Sequence, residues 1–517
     1  MIKILFLCHG NICRSPMAEV ILKNKLTNLG LIDHFQIDSK ALTNEEIGND
    51  IYPFVKKVLD NNHLKYERHF ATIFTKKDYL EYDDIYIMDK ENEYYIKRII
   101  GEDIYHKIFL LPFFIDQEEI EDPWYTRRFE KCYQEIDHAI DQLINRKYNL
   151  FNIDFNHFLK NYQIMGSFAS IVKNNHIYNS LYGYSDIDKK IKINFDSLFR
   201  VASISKVIVA LGIMKLYEDS LIDLDTDISD YLGFKVRNPY FKDDIITIKH
   251  LMTQTSSMKD VGLNDRGYYG DKAGIIHIKL EELFDENSKY YAPLWHNKKP
   301  GTYFDYCNFG CGVLVCLIER VTKKLFLDYI DEILFKKLDI KSNFRTKYLN
   351  NLDNLCTHYQ YHNGFINYRD PKSFPLHEGG IFEIGDNFSD YAGGLFISGH
   401  DLEKIMIMMM NKGRYHNQEI FKSSTIDYMM KDHWVGSSND NAYHKKGLQL
   451  IKLDNYSSKE LVGHFGNAYG LRAFMLFNED LGLIFITNGI KTGDEEHLTK
   501  ELDDFIKFMI RESDNLL

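Results

Sequence analysis

The sequence predicts a two-unit chain, an α/β unit followed by a larger α+β unit, and three observations carry that reading. At 517 residues the chain exceeds what one core ordinarily spans, since domains average roughly 150 residues. The run IKILFL (2–7) feeds a glycine-containing turn and then the amphipathic stretch AEVILKNKL, an order of strand, loop and helix. From residue 166 the pattern changes: GSFASIVKNNHIYNSLYGYSD alternates as two strands around an Asn-Asn turn, and a long apolar-periodic helix follows.

Composition narrows the class. With 44% hydrophobic and 27% charged residues the chain is globular, and no apolar run approaches the ~20 residues of a membrane helix. The opening MIKILFL holds one lysine and no small-residue cleavage site, so a buried first strand in a cytoplasmic protein is expected, not a signal peptide. Seven cysteines (Cys8, Cys13, Cys132, Cys307, Cys311, Cys316 and Cys356) are scattered and odd in number, and reduced thiols are expected. A net charge of −12 argues against nucleic acid and membrane surfaces as partners.

The first strand ends in LCHGNICRSPMAE (7–19). Ser15 followed by Pro16 suits a helix cap and first helical position, so the loop from Cys8 to Arg14 wraps a helix N-terminus. Backbone N–H groups converging there make an anion cradle. A cysteine in such a cradle is expected as a thiolate, and the planar fork of Arg14 suits two phosphate oxygens.

The string C-H-G-N-I-C-R-S-P, after a strand and before a helix, resembles the low-molecular-weight protein tyrosine phosphatase family over about residues 1–147. IDSKA (37–41) looks like that family's second strand, YDDIYIMDKEN (82–92) like its central strand, and EDPWYTRRFEKCYQEI (121–136) like its acid loop and last helix. The resemblance implies a four-stranded parallel sheet with flanking helices. It makes Cys8 the nucleophile, Arg14 the group that stabilises the equatorial oxygens, and Asp122 the acid that protonates the leaving oxygen and then activates water. His9, Gly10, Asn11, Ile12 and Cys13 would line the phosphate, with Ser15 steadying the sulfur and Asn11 and Ser39 holding the loop. Without the upstream loop, Asp122 before Pro123 reads better as a solvated turn aspartate; with the loop, the acid is the favoured reading. Cys13 has two readings, a reversible disulfide partner of Cys8 under peroxide or a small buried hydrophobe. Trp124 and Tyr125 fit an aromatic wall, and Ile12 stands where related arginine phosphatases carry threonine; both favour phosphotyrosine. Glu45 in ALTNEEIGN replaces the aromatic expected on the opposite wall, and a carboxylate there disfavours acidic peptides.

The junction INRKYNLFNIDFNHFLKNYQIM (144–165) is neither Gly/Ser-rich nor Pro-rich, so a packed connector over 148–162 is expected, joining domains 1–147 and 163–517.

In the second unit S-x-x-K occurs three times, and context must choose. Ser170 and Lys173 lie on a strand and face opposite sides of it, while Ser256 follows a helix end. Only Ser203 opens a helix, where residues i and i+3 share a face and the Lys206 amine meets the hydroxyl. Y-x-N likewise recurs at Tyr348 and Tyr361, but Tyr306-Cys-Asn308 alone sits behind Pro-Gly-Thr and ahead of an apolar helix; YHNG at 361 reads as a hairpin tip. Gly463-His464-Phe465-Gly466 follows, with two alternating strands flanking the turn NEDLG. Ordered S-x-x-K, Y-x-N and H-x-G, with FRVASISK, ITIKHLMTQTS and YAGGLFISGHDL, resemble the serine beta-lactamase and penicillin-recognising hydrolase superfamily over about 160–510. The resemblance implies an antiparallel sheet, flanking helices and a helical subdomain. Ser203 would be acylated; Lys206 and Tyr306 would share the proton transfers; Asn308 would hold the substrate amide. Backbone N–H groups of Ser203 and Asn467 would form the oxyanion hole beside His464 and Gly466. An ordinary strand histidine is the other reading of His464. Phe465 removes the hydroxyl that helps hold a substrate carboxylate, which favours an esterase or peptidase over beta-lactam chemistry. Cys307 and Cys311 have helical spacing, yet Cys307 fills the free middle position of the second motif, so no metal is expected; no cofactor is implied.

The expectation is a cytoplasmic bifunctional hydrolase acting on a phosphotyrosine protein or small phosphoester and on a small ester or peptide. Its alternative is a phosphatase regulated by a non-catalytic, ligand-binding lactamase-like sensor.

Overall fold

A computed structural model describes residues 2–28, 35–105, 107–115, 117–146, 162–173, 176–260, 278–289, 291–349, 352–369, 383–389, 391–415, 418–438, 442–491 and 498–514, with single residues 32, 159 and 371. Two compact units divide the chain, Met1–Asn152 and Ile153–Leu517. Most of the connector expected at 148–162 lies outside the described residues.

The first unit runs β1 (Ile2–Cys8), α1 (Arg14–Asn28), β2 (Phe35–Ala41), α2 (Pro53–Asn61), α3 (Lys76–Glu81), β3 (Asp84–Ile87), α4 (Lys90–Ile100), β4 (Ile108–Leu110), α5 (Pro123–Thr126) and α6 (Phe129–Arg146). Its sheet has the order β2-β1-β3-β4 and every pairing is parallel, the four-stranded architecture expected. Ile4, Leu5, Phe6 and Leu7 are buried in succession, which is how a parallel strand covered on both faces reads in sequence. Of the segment 82–92, Asp84–Ile87 is the expected strand, and its last residues, from Lys90, already belong to α4. Asp89 accepts from the backbone N–H of Asn92 and caps α4, because a short carboxylate three residues before a free N–H favours helix initiation over extension.

The second unit is built on a nine-stranded sheet, antiparallel throughout. Its order is Trp434–Val435, Lys445–Lys446, Ile451–Leu453, Leu461–Ala468, Leu471–Phe477, Leu481–Thr487, Gly166–Lys173, His176–Asp186 and Ile191–Lys192. Helices cover both faces. Met475, Phe477, Ile484 and Ile486 join the core formed with helices Ser205–Glu218, Asn308–Thr322 and Gly399–Met410. Phe474, Leu476, Leu483 and Phe485 join a second core with helix Lys500–Asp514, where Phe485 and Phe505 rings stack at 4.0 Å. Strands Leu471–Phe477 and Leu481–Thr487 are consequently buried at every position. The tip at 361 is the expected hairpin: strands His358–Tyr361 and Phe365–Arg369 pair across Asn363 and Gly364, both at positive φ.

Candidate active sites

In the first unit Cys8 ends β1 and Arg14 opens α1. Asn11, with φ of 57°, bends the loop between them and is held by its own side chain, which offsets the cost of a left-handed conformation. Its Nδ2 donates to Ser15 Oγ at 3.0 Å and to Ser39 Oγ at 2.8 Å, while Oδ1 accepts from Thr72 N at 3.3 Å. Ser39 Oγ in turn donates to Glu19 at 2.6 Å. The helix starts at Arg14, two residues earlier than the Ser-Pro pair suggests. Ser15 therefore lies inside the first turn, and its hydroxyl sits 3.0 Å from Cys8 Sγ instead of capping the backbone.

Arg14 is 2% exposed and gathers the site around itself. Nη1 donates to Asp89 at 2.5 Å and to the carbonyl of Ile120 at 3.0 Å; Nη2 donates to Asp122 at 2.7 Å. Burial works against the guanidinium charge, but Asp122, Cys8 and Asp89 outweigh it and hold the arginine above its ordinary pKa. Nε is buried and bonds to nothing among the described residues. Asp122 is the N-cap of α5 and accepts from Trp124 N at 2.9 Å. Burial and the nearby Cys8 push the Cys13 thiol well above its usual range, and Cys132 contributes in the same direction.

At the rim, His9 Nε2 lies 3.2 Å from Glu45, and its ring meets Tyr95 edge-on. A Cβ at Gly10 would come within 3.0 Å of Glu46 Cγ. Ile12 is buried, and its carbonyl accepts from Tyr52 N at 2.9 Å. Trp124 packs edge-on against Tyr52 at 5.0 Å, and the Arg127 guanidinium lies over its ring at 5.4 Å, whereas Tyr125 is 78% exposed. Asp89 and Tyr52 escaped the sequence reading. The Asp-x-x-Asn cap pattern in DKEN was the available signal for Asp89; nothing marked Tyr52.

In the second unit Ser203 occupies a 3-10 turn, Ala202–Ile204, that leads directly into helix Ser205–Glu218. The i, i+3 spacing brings the pair together: fully buried Lys206 donates from Nζ to Ser203 Oγ at 3.0 Å, to Asn308 Oδ1 at 2.7 Å and to the Ala392 carbonyl at 2.8 Å. All three acceptors are uncharged. The Tyr306 ring lies 4.9 Å from the same amine and 6.3 Å from the His464 ring. Asn308 opens its helix, and both ends of its amide are engaged, Oδ1 by Lys206 and Nδ2 by Asp260 at 2.6 Å. Asp260 also accepts from the backbone N–H of Asn308 and Phe309, each at 2.9 Å, so a remote carboxylate holds the helix start. Asp260, too, carried no sequence signal.

Strand Leu461–Ala468 delivers the third motif. A Cβ at Gly466 would stand 2.4 Å from the Val201 carbonyl oxygen, so only glycine lets this strand approach the serine turn. His464 is buried, with Nδ1 2.7 Å from the Phe465 carbonyl. Asn467 accepts from Arg472. Cys307 donates its thiol to Asp260 at 3.5 Å, and burial pushes Cys311 up to about 12.

The first cluster sets Cys8 against Ser15 and Arg14 against Asp122, and the second sets Ser203 against the buried Lys206 amine, two arrangements of different kinds. Residues 3–150 match the low molecular weight phosphotyrosine protein phosphatase family and residues 151–505 the beta-lactamase family, and the chain belongs to both. Over 147 residues it is 33% identical to the low molecular weight protein-tyrosine-phosphatase PtpA of Staphylococcus epidermidis, covering 28% of this chain and 93% of that protein. Protein flp of Staphylococcus aureus is 26% identical over 337 residues, 64% of this chain; the match spans only about 61% of that relative's length. Among solved structures, D-amino acid amidase from Ochrobactrum anthropi aligns with a TM-score of 0.54 at 19% identity, over 70% of this chain and 96% of that one, a likeness of fold. Among the described residues no helix is long and apolar enough to cross a membrane.

Proposed function

We propose that the chain is a two-headed cytoplasmic hydrolase, with domains 1–147 and 163–517 joined by 148–162. At the first head Cys8 Sγ attacks the phosphorus of an aryl phosphoester, a phosphotyrosine protein or a small analogue. The Sγ–P bond forms as the P–O bond to the aryl group breaks, and Asp122 protonates the departing oxygen. Water activated by Asp122 then releases phosphate. The observation that carries this reading is the single cluster of Cys8, Ser15, Arg14 and Asp122. A bound phosphate competes with Asp122 for the Arg14 fork, which turns the carboxyl toward the leaving group. Trp124, on its Tyr52 support, stacks on the aryl ring.

At the second head Ser203 Oγ attacks an ester or amide carbonyl. Lys206 and Tyr306 carry the proton from the hydroxyl to the leaving group, and the backbone N–H groups of Ser203 and Asn467 hold the oxyanion beside His464 and Gly466. The 3.0 Å contact of Lys206 with Ser203 supports this most directly. Asn308 contacts the substrate amide through an Nδ2 shared with Asp260.

Intact mass after treatment with a fluorophosphonate tests the second head. An adduct on the native chain that is missing from Ser203→Ala, with p-nitrophenyl phosphate turnover equal in both and lost in Cys8→Ser, is expected. No adduct, with phosphatase turnover that responds to a ligand of the second domain, favours the sensor reading.

A further inference from the structure

Aromatic rings cluster on one side of the phosphatase loop and stay open to solvent. Phe54 is 55% exposed and Trp124 38%; a contiguous apolar surface marks a contact site, where rings exposed singly do not. The rings touch in series. Trp124 meets Tyr52 edge-on at 5.0 Å, and Tyr52 stacks on Phe54 at 5.7 Å. Phe129 is buried and stacks on both, at 5.6 Å from Tyr52 and 5.5 Å from Phe54. Two hydrogen bonds tie this shelf to the site. The backbone N–H of Tyr52 donates to the Ile12 carbonyl of the phosphate loop at 2.9 Å, and Arg127 Nη1 donates to the Tyr52 hydroxyl at 3.3 Å.

The chemistry above uses only the Trp124 end of the shelf. A small aryl phosphate with its phosphorus at Cys8 ends at that ring, so Tyr52 and Phe54 extend the wall past anything it can touch. Two ring contacts lead from Trp124 to Phe54, a span that about three residues of extended chain cover at about 3.3 Å each. The surface is also preformed. Phe54 stands in the first turn of α2, which buries Val55, Val58 and Leu59, so little ordering is required on binding. Charge at the mouth narrows the occupant. Glu45 at the rim disfavours an acidic chain, whereas an apolar side chain meets no such penalty and gains by leaving water.

We propose that Tyr52 and Phe54, on a floor of Phe129, form a second subsite of the phosphatase head, which binds an apolar side chain two or three residues from the phosphotyrosine of a polypeptide substrate. The inference rests on the phosphatase reading above and narrows it, from phosphoesters in general to phosphotyrosine proteins with an apolar flank. Phe54 supplies the exposed ring, and Tyr52 holds it in line with Trp124. The subsite takes part in no bond change. It holds the chain on which the aryl ester is carried, and its effect therefore falls on KM.

The test compares phosphotyrosine peptides that differ only in carrying leucine or glycine at the second and third positions to either side. Steady-state kinetics are measured on the full chain, on Phe54→Ala and on Phe54→Tyr, with p-nitrophenyl phosphate as the reference substrate. The native chain should favour the leucine peptide by about tenfold in kcat/KM, nearly all of it in KM, and Phe54→Ala should bring the two peptides to within about twofold. Phe54→Tyr keeps the ring and should keep the preference. Equal rates on both peptides in the native chain, or a preference that survives Phe54→Ala, overturns the proposal; so does a loss in Phe54→Ala as large for p-nitrophenyl phosphate as for the leucine peptide. Peptide binding to Cys8→Ser, by isothermal titration calorimetry, reads the shelf without any turnover. Should the native chain hydrolyse none of these esters, the phosphatase reading fails by itself. The titration then decides the proposal: tighter binding of the leucine peptide that is lost when Phe54→Ala is added upholds it, and equal affinities or no binding overturn it.

Discussion

Asp89 reaches Arg14 from 75 residues away and takes one arm of its fork while Asp122 takes the other. Removing its charge leaves the guanidinium buried but unaligned, so Asp89→Asn is expected to lower kcat/KM for p-nitrophenyl phosphate by about tenfold or more, read by steady-state kinetics. Asp260 plays the matching part in the second unit, binding the Asn308 amide and two helix N–H groups. Asp260→Ala should cost about 1–2 kcal/mol in thermal unfolding and slow Ser203 labelling. Lys446 carries a pH signature of its own. Burial and Lys206 bring it from its ordinary 10.5 to about 7, so the unfolded chain binds the extra proton between those values and stability rises with pH across that window. Lys446→Met should therefore raise the melting temperature most below pH 7, with the gain fading toward pH 10.5.

At the level of elements, close approach matters more than propensity. The strand Leu461–Ala468 passes so near the serine turn that a Cβ at 466 would meet the Val201 carbonyl at 2.4 Å. Gly466→Ala is expected to cost about 1–3 kcal/mol and to displace Asn467 from the serine, measured as a lower melting temperature together with reduced fluorophosphonate labelling. In the phosphate loop a strand end and a helix start are joined by only five residues, and the turn persists because the Asn11 side chain bonds on both sides of it. The helix start at Arg14 follows from that arrangement: once Ser15 turns toward the sulfur, its hydroxyl no longer serves the backbone as a cap.

Across the whole molecule each unit has its own core. Leu5, Leu7, Ile85 and Ile87 pack within the first, while the sheet of the second is covered on both faces by separate clusters. Phe485→Ala should remove about 3–5 kcal/mol from the second unit, visible in calorimetry, while phosphatase turnover of the full chain below the transition is unchanged. By itself the sequence determined the strand–loop–helix that carries Cys8 and Arg14, the meeting of Ser203 with Lys206 on one helical turn, and the hairpins at 361 and 478, because each depends on contacts a few residues apart that periodicity and turn chemistry encode. Tertiary structure alone decided that Asp89, Tyr52 and Asp260 contact the candidate site residues, that Asn308 is held at both ends, and that the central strands are buried on both faces. Those outcomes depend on which distant segments fold against one another, and a carboxylate or amine carries no local mark of the partner that burial will bring to it.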